Sequence, residues 1–514
     1  MRKLITYCFL FFPLLTSGQD TLIYFSELSF NSDAEKSAFT HFFNKSEKDY
    51  FTLFSQAGKK SSTSSKEKFY TYLNKMGYEK MVDKKQDKRV KFIYENVHAA
   101  FLSKYEGKSL FSDIFDDGDY NCVSATALYC MAFDYFKIPY VIKEKPNHVY
   151  PVAYPNNQQV IVETTNPMVG SFAFNDQFKA SYLENLKKQK LISNQEAITK
   201  SNNELFDQYF FKEEVNITLD QLFGIQYMND GIFKLEAEDV NGSLKQFEKA
   251  YLLYPSENIA NGLLVSYLKA FQGKTKKDTS HAVLLAKLSR FSKYGITQEL
   301  VKGEFGNSTN TLLFDLGKPD DYTNYYNALT NHLNDTEYKE EVSFIYHYEL
   351  GRYYYNQGRY FQSQPYFEKA FIIRPNNQDV QNIYLQIIER SLRVANDGQE
   401  GINLLTEAST KNPVLKTNTK FNSMLAATYL AKFNDDFQNG KVQDGEKARL
   451  AFEGIYTTEK ELSVDPEFIG QAYSTAAVYF FRKNQNAKSK SYIEKGLQLA
   501  PGNRELQNRK KLLN

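Results

Sequence analysis

FEKAYLLYP (Phe247–Pro255) and FEKAFIIRP (Phe367–Pro375) are nearly one string written twice, 120 residues apart. Each has apolar residues at helical spacing and stops at a proline, whose missing amide hydrogen and ring end a helix. A glycine stands 24 residues before each proline, at Gly231 and Gly351. The pattern predicts a helical hairpin: a small residue where two helices cross, an aromatic knob (Phe247, Phe367) filling the gap, and a proline stopping the second helix. Such hairpins cannot bury their apolar faces alone, so the pattern also predicts neighbours stacked on them.

Working outward, one unit reads Tyr227, Gly231, Phe247, Ala250, Pro255; a second reads Leu350, Gly351, Tyr354, Phe367, Ala370, Pro375; a third reads Tyr473, Ile493, Gly496, Pro501. These spacings resemble the 34-residue tetratricopeptide repeat. The resemblance implies an all-α, tetratricopeptide-type solenoid over residues 216–514, with a concave surface for a protein or peptide partner. The stretches Ile259–Phe271, Ser280–Phe291 and Asp379–Val394 are read as diverged helices of the same array. Strand signals disappear beyond about residue 215.

Upstream the character changes. Met1-Arg2-Lys3, the apolar run Leu4–Leu15 and the small residues Thr16-Ser17-Gly18 have the order of a secretory signal peptide, expected over residues 1–18. The run is shorter than the roughly 20 residues that span a bilayer. Gln19 stands where a lipid anchor would need cysteine, and Cys8 leaves with the leader. Losing Arg2 and Lys3 takes 63 basic residues to 61, against 61 acidic ones. A neutral chain with its charges interspersed gives no electrostatic basis for binding nucleic acid or an anionic membrane. The expectation is an exported, soluble protein, periplasmic or secreted, with no membrane insertion after leader removal. Residues 19–215 form its first domain.

Within that domain Thr21–Phe30 alternates as a strand does, and Ser32 with Glu35 marks a helix start. Lys59–Lys66 reads as a polar loop. Val90, Ile93, Tyr94, Val97 and Phe101 predict a helix packed by one face. Asp116-Asp117-Gly118-Asp119 forms a turn, and Val123–Phe136 is a buried helix opening at Cys122 and ended by Pro139. Strands are expected at Pro139–Lys143, Val149–Tyr154 and Val160–Thr164, with Pro155-Asn156-Asn157 turning between the last two. The fold class is therefore an α+β amino-terminal domain, with helices packed on a small antiparallel sheet, followed by the helical solenoid.

Two cysteines remain after the leader, Cys122 and Cys130. Eight residues apart on one helix, they lie about 12 Å apart along its axis, beyond disulfide reach. An unpaired thiol in an exported protein points to a functional role for Cys122, whereas Cys130, deep in the helix, is assigned to packing. At a helix amino terminus the positive end of the dipole favours a thiolate. A nearby imidazole can hold that thiolate as an ion pair and later protonate a leaving amine. A carboxylate on the far ring nitrogen fixes the tautomer.

The stretch DGDYNCVSATALYCMAFDYFKIPYVIKEKPNHVYPVAYPNNQQVIVETTNP, residues 117–167, resembles the transglutaminase-like superfamily of papain-type thiol enzymes. The carry-over is residue by residue. Cys122 opens the helix, Lys137-Ile138-Pro139 closes it where the family has a Gly-Ile-Pro-like turn, His148 begins the first hairpin strand, and Glu163-Thr164 occupies the second. The resemblance implies a catalytic Cys122, His148 as base and then acid, Glu163 orienting His148, and the Cys122 N–H at the oxyanion. Glu163 replaces the usual Asp, with Asn166 an alternative orienting group; Asn121 replaces a frequent Gly, and Tyr150 a Trp.

Asp113, Asp116, Asp117 and Asp119 lack the spacing of a calcium loop, and the six histidines lack zinc spacing. His98 is read as structural. No phosphate loop or nucleophile-elbow serine is present, and no cofactor is expected. Two functions follow: a cysteine-dependent peptidase, amidase or acyl-transferase whose repeats present a protein partner, or a non-catalytic binding scaffold.

Overall fold

The computed structural model describes residues 22–44, 48–58, 63–458 and 461–513. The expected leader, with Cys8 and Gln19, lies outside the described residues. The described chain is mostly helical and divides into two compact units, 1–274 with 287–296, and 275–286 with 297–514. Among the described residues no helix is long and apolar enough to cross a membrane.

In the first unit the helices are α1 (Asp33–Asn44), α2 (Tyr50–Gln56), α3 (Thr63–Met76), α4 (Gln86–Phe101), α5 (Asp113–Asp116), α6 (Cys122–Tyr135), α7 (Asp176–Lys188), α8 (Asn194–Thr199), α9 (Asn202–Phe210), α10 (Leu219–Glu236), α11 (Val240–Leu253) and α12 (Glu257–Gln272). The strands are β1 (Lys104–Tyr105), β2 (Asp119–Tyr120), β3 (Tyr140–Lys145), β4 (His148–Ala153), β5 (Val160–Val162), β6 (Ser171–Ala173) and β7 (Val215–Ile217). β3 to β7 form one antiparallel sheet in the order β6-β5-β4-β3-β7. β1 and β2 pair in parallel just before Cys122.

The α4 face is the one its spacing predicts: Val90, Ile93, Tyr94, Val97 and Phe101 are its buried residues. α6 is buried on every side from Val123 to Phe133, which marks a helix running through the core rather than over it. Its end is a left-handed cap, with Lys137 at φ 57° and the Ile138 N–H donating to the Phe133 carbonyl at 2.9 Å.

Four local readings change. Residues 25–27 form a 3₁₀ turn instead of a strand, because the Glu27 carboxylate caps the Tyr24 N–H. The polar loop gives way to helix at Thr63. β5 stops at Val162, so Glu163 and Thr164 lie in the bend beyond it. A strand persists at 215–217, because β7 completes the sheet against β3.

α10 to α12 belong to the first unit, so the border drawn at residue 215 falls inside it. Phe223 packs against Phe39 and Phe54, with ring centroids 5.8 and 4.7 Å apart. Gln226 accepts from the Phe111 N–H and donates to the Phe54 carbonyl. Asp220 takes the Tyr50 hydroxyl at 2.6 Å and pairs with Lys48. Deepest of all, Glu35 Oε1 receives the Lys249 ammonium at 2.7 Å and the Tyr227 hydroxyl at 2.8 Å, with both Lys249 and Glu35 fully buried. Buried charge persists only when paired in this way.

The second unit is a succession of helices that includes α13 (Thr279–Leu288) in part, α14 (Gln298–Thr309), α15 (Pro319–His332), α16 (Thr336–Asn356), α17 (Tyr360–Ile373), α18 (Gln378–Arg393), α19 (Gly398–Lys411), α20 (Thr419–Gln438), α21 (Val442–Thr458), α22 (Pro466–Arg482), α23 (Asn486–Leu499) and α24 (Arg504–Leu513). The repeat logic is visible atom by atom. A Cβ on Gly351 would stand 3.0 Å from the Phe367 ring, and one on Gly231 in the first unit 2.9 Å from that of Phe247. In the third copy the roles exchange helices, with Gly496 seated against Tyr473.

Candidate active site

Asn121 builds the start of α6. Its Oδ1 accepts from the Val123 and Ser124 N–H groups at 3.0 Å each, and Ser124 Oγ accepts in return from the Asn121 N–H at 2.9 Å, a capping box. The Asn121 amide donates to the Gly107 and Ser109 carbonyls at 3.1 and 2.7 Å. One buried side chain therefore caps the helix and moors it to the 107–109 loop. The sequence carries its signal, an Asn before a helix with Ser three residues on.

Cys122, first residue of α6, is half-buried. His148, first residue of β4, is brought to it by the packing of β4 on α6, where Thr126 Oγ1 donates to the Val149 carbonyl at 3.2 Å. Thr164 Oγ1 donates to the same carbonyl at 3.3 Å, which holds the end of β5 against the same point. His148 Nε2 lies 3.4 Å from Glu163 Oε2, an ion-pair contact without hydrogen-bond geometry. The ring also stacks on Tyr150, centroids 5.5 Å apart, and the Tyr150 hydroxyl is anchored on Glu214 at 2.6 Å.

The sheet register explains the carboxylate. Val152 pairs with Ile161 and Ala153 with Val160; continued, that register sets Glu163 opposite Tyr150 and a diagonal step from His148. Diagonal neighbours are about 7–8 Å apart at the backbone, a distance that suits the longer side chain of Glu. Glu163 is thus a diagonal neighbour of His148, not a direct cross-strand partner. Its other oxygen, Oε1, accepts from the Thr165 N–H and hydroxyl at 2.8 and 2.5 Å. Asn166 does not share this role: its Oδ1 accepts from the Met168 N–H within its own turn.

Burial works against charge on both partners, and their contacts overcome it. Burial lowers the His148 pKa, but contacts with Cys122 and Glu163 outweigh it and raise the value to about 9. Burial raises that of Glu163, yet the contact with His148 and the hydrogen bonds from Thr165 bring it to about 2. At neutral pH the geometry therefore holds an imidazolium beside the Glu163 carboxylate, in contact with Cys122. Cys130 differs in kind: it is fully buried, and burial pushes its thiol well up. His98 is packed between aromatic rings, stacked on Tyr94 at 5.5 Å and 3.4 Å from the Tyr129 hydroxyl. Among the described residues no group of three or more His, Cys, Asp or Glu is arranged to hold a metal ion.

Cys122 and His148 open onto a cleft of about 640 Å³ within the first unit. The β3–β4 tip, including Glu144 and Lys145, lines one side, and α10 with the start of α12 lines another. Sequence spacing could not foresee this wall, because it joins segments about a hundred residues apart.

Residues 344–377, the second helix-and-turn unit of the self-comparison, match the family model of the tetratricopeptide repeat. No curated protein matches the chain. Among solved structures, a tetratricopeptide repeat protein from Parabacteroides merdae is 13% identical, over 56% of this chain and 98% of that one, at a TM-score of 0.16. The structure of Naa15/Naa10 bound to HypK-THB is also 13% identical, over 57% of this chain and 56% of that one, at a TM-score of 0.16. The α16–α17 hairpin is thus similar to a tetratricopeptide repeat.

Proposed function

We propose that this chain is an exported repeat protein whose helical array binds a protein or peptide partner. The observation that carries this reading is the match of residues 344–377 to the tetratricopeptide repeat, a helical unit that stacks to present extended binding surfaces. The leader-like residues 1–18 supply the export. A photocrosslinking residue at each of the exposed positions Phe361, Ile372 and Val394 should capture one and the same protein. Capture of unrelated proteins at background level from all three positions would sink the binding reading.

The Cys122, His148 and Glu163 geometry favours a second reading, in which the cleft performs transglutaminase-like chemistry on an amide bond of the bound polypeptide. With the Cys122 proton already passed to His148, the thiolate Sγ attacks the carbonyl carbon, and the Cys122 N–H at the first turn of α6 stabilises the oxyanion. The C–N bond breaks as His148 gives its proton to the leaving amine, and a thioester remains on Cys122. Water or an amine, deprotonated by the now neutral His148, attacks that thioester and restores the thiol. Glu163 keeps the ring oriented through both steps. Iodoacetamide should alkylate Cys122 about tenfold or more faster than an unstructured peptide cysteine; His148→Ala should remove that excess. Equal rates in the wild-type chain would leave the scaffold reading alone.

A further inference from the structure

α10 has two apolar faces. One, with Phe223, Tyr227 and Gly231, is buried in the first unit. The other carries Met228, Ile232 and Phe233 into the cleft that holds Cys122 and His148. Met228 and Ile232 are neighbours one turn apart on the helix, and Phe233 lines the cleft beside them. Ile232 is 39% exposed, and Met228 and Phe233 are partly so, with the Lys108 ammonium 5.3 Å from the Phe233 ring centre, so apolar surface is offered to the cleft rather than wholly spent on packing. Around it, the cleft is lined by the carboxylates of Glu144, Glu213 and Glu257 against Lys145 and the His148 imidazolium. Glu144 is held in place by the Tyr254 hydroxyl at 2.7 Å, from the C-terminal end of the repeat helix α11.

Resting on the thiol-chemistry reading above, we infer that this first helical hairpin is the specificity wall of the site, and that the substrate is a polypeptide pairing an aliphatic side chain with a lysine or arginine beside the attacked carbonyl. The aliphatic group lies on Met228, Ile232 and Phe233, where it leaves water for apolar surface. The cation faces Glu144, Glu213 and Glu257, which repel an acidic substrate in its place. One hairpin of a repeat array thereby serves substrate selection for a thiol held on a separate sheet and helix.

The test uses the full chain and peptidyl chloromethyl ketones, whose methylene carbon is attacked by Cys122 Sγ, forming a thioether as chloride leaves. Acetyl-Leu-Lys chloromethyl ketone should alkylate Cys122 about tenfold faster than either the Gly-Lys or the Leu-Glu reagent, with the site of labelling read by mass spectrometry. The Lys-over-Glu preference should shrink as salt screens the carboxylates. Ile232→Asp should erase the Leu preference, and Glu213→Lys with Glu257→Lys should reverse the Lys preference; all three positions are exposed, and melting curves establish that the variants fold. Equal rates with all three reagents in the wild-type chain, alongside fast alkylation by iodoacetamide, overturn the specificity wall and leave the thiol chemistry standing. Slow alkylation of Cys122 by iodoacetamide as well as by the peptidyl reagents overturns both.

Discussion

The two copies of the Phe-Glu-Lys-Ala string fold alike and face different surroundings. Phe247 and Phe367 each fill the space left by a glycine on the preceding helix. Glu248 and Glu368 each take the hydroxyl of a tyrosine from the following helix, Tyr267 at 2.5 Å and Tyr384 at 3.3 Å. The next residue separates them. Lys249 is fully buried on Glu35, with its ammonium 4.7 Å above the Tyr227 ring, whereas Lys369 is exposed. Near the ends of the helices, Tyr254 reaches Glu144 beside the cleft, while Arg374 pairs with Glu341. Local sequence sets the hairpin, and the neighbour it packs on decides whether a charge is solvated or becomes part of a core. The first copy has become a wall of the thiol-bearing unit; the second keeps the form of a repeat.

The largest test of that difference is Glu35→Ala, which strands the Lys249 ammonium and should cost about 3–5 kcal/mol in urea denaturation. Replacing both, Glu35→Leu with Lys249→Met, should recover most of it. A loss below about 1 kcal/mol for the single change would mean that Lys249 finds water, and the contrast between the copies would fail. The shared feature is tested next. Gly231→Ala and Gly351→Ala each push a methyl into a phenylalanine ring and should each cost about 1–3 kcal/mol; a harmless change at one of them would show that the two crossings are not equivalent.

The charged contact beside the first copy can be titrated. His148 has its folded value raised from 6.5 to about 9, so its stabilising contribution is complete below 6.5 and disappears as pH climbs through about 9. Glu163 has its value lowered from 4.5 to about 2, so its contribution is complete above 4.5 and disappears as pH falls through about 2. Wild type should therefore exceed His148→Gln by on the order of 1 kcal/mol between pH 4.5 and 6.5. The advantage should vanish above pH 9; a difference that does not change with pH would remove the ion pair from the account. The smallest effect belongs to the second copy: Lys369→Met should change the unfolding free energy in urea by no more than about 0.5 kcal/mol.

Much of this was legible because it is local. The α4 face, the opening of α6 at Cys122, the strand beginning near Val149 and the hairpin between β4 and β5 depend on residues within a turn or two of one another. So does the glycine-to-phenylalanine crossing, since two helices joined by a short turn are bound to meet. What went unread was set at longer range. The strand-like run Val160–Thr164 and the family resemblance put Glu163 on a strand, but β5 ends at Val162, opposite Ser171 where β6 begins. Asn166 was a candidate because an amide can orient an imidazole, and it is drawn instead into its own turn.

By itself the sequence determined the periodic helices, the repeated hairpin and the residue types around Cys122, because helix spacing, proline stops and capping act over a few residues. Only the tertiary structure decided that Glu163 reaches His148 on a diagonal, that Lys249 is buried while Lys369 is not, and that α10 walls the thiol cleft. Those outcomes turn on which surfaces meet across a hundred or more residues, where burial and pairing free energies outweigh anything encoded in a single segment.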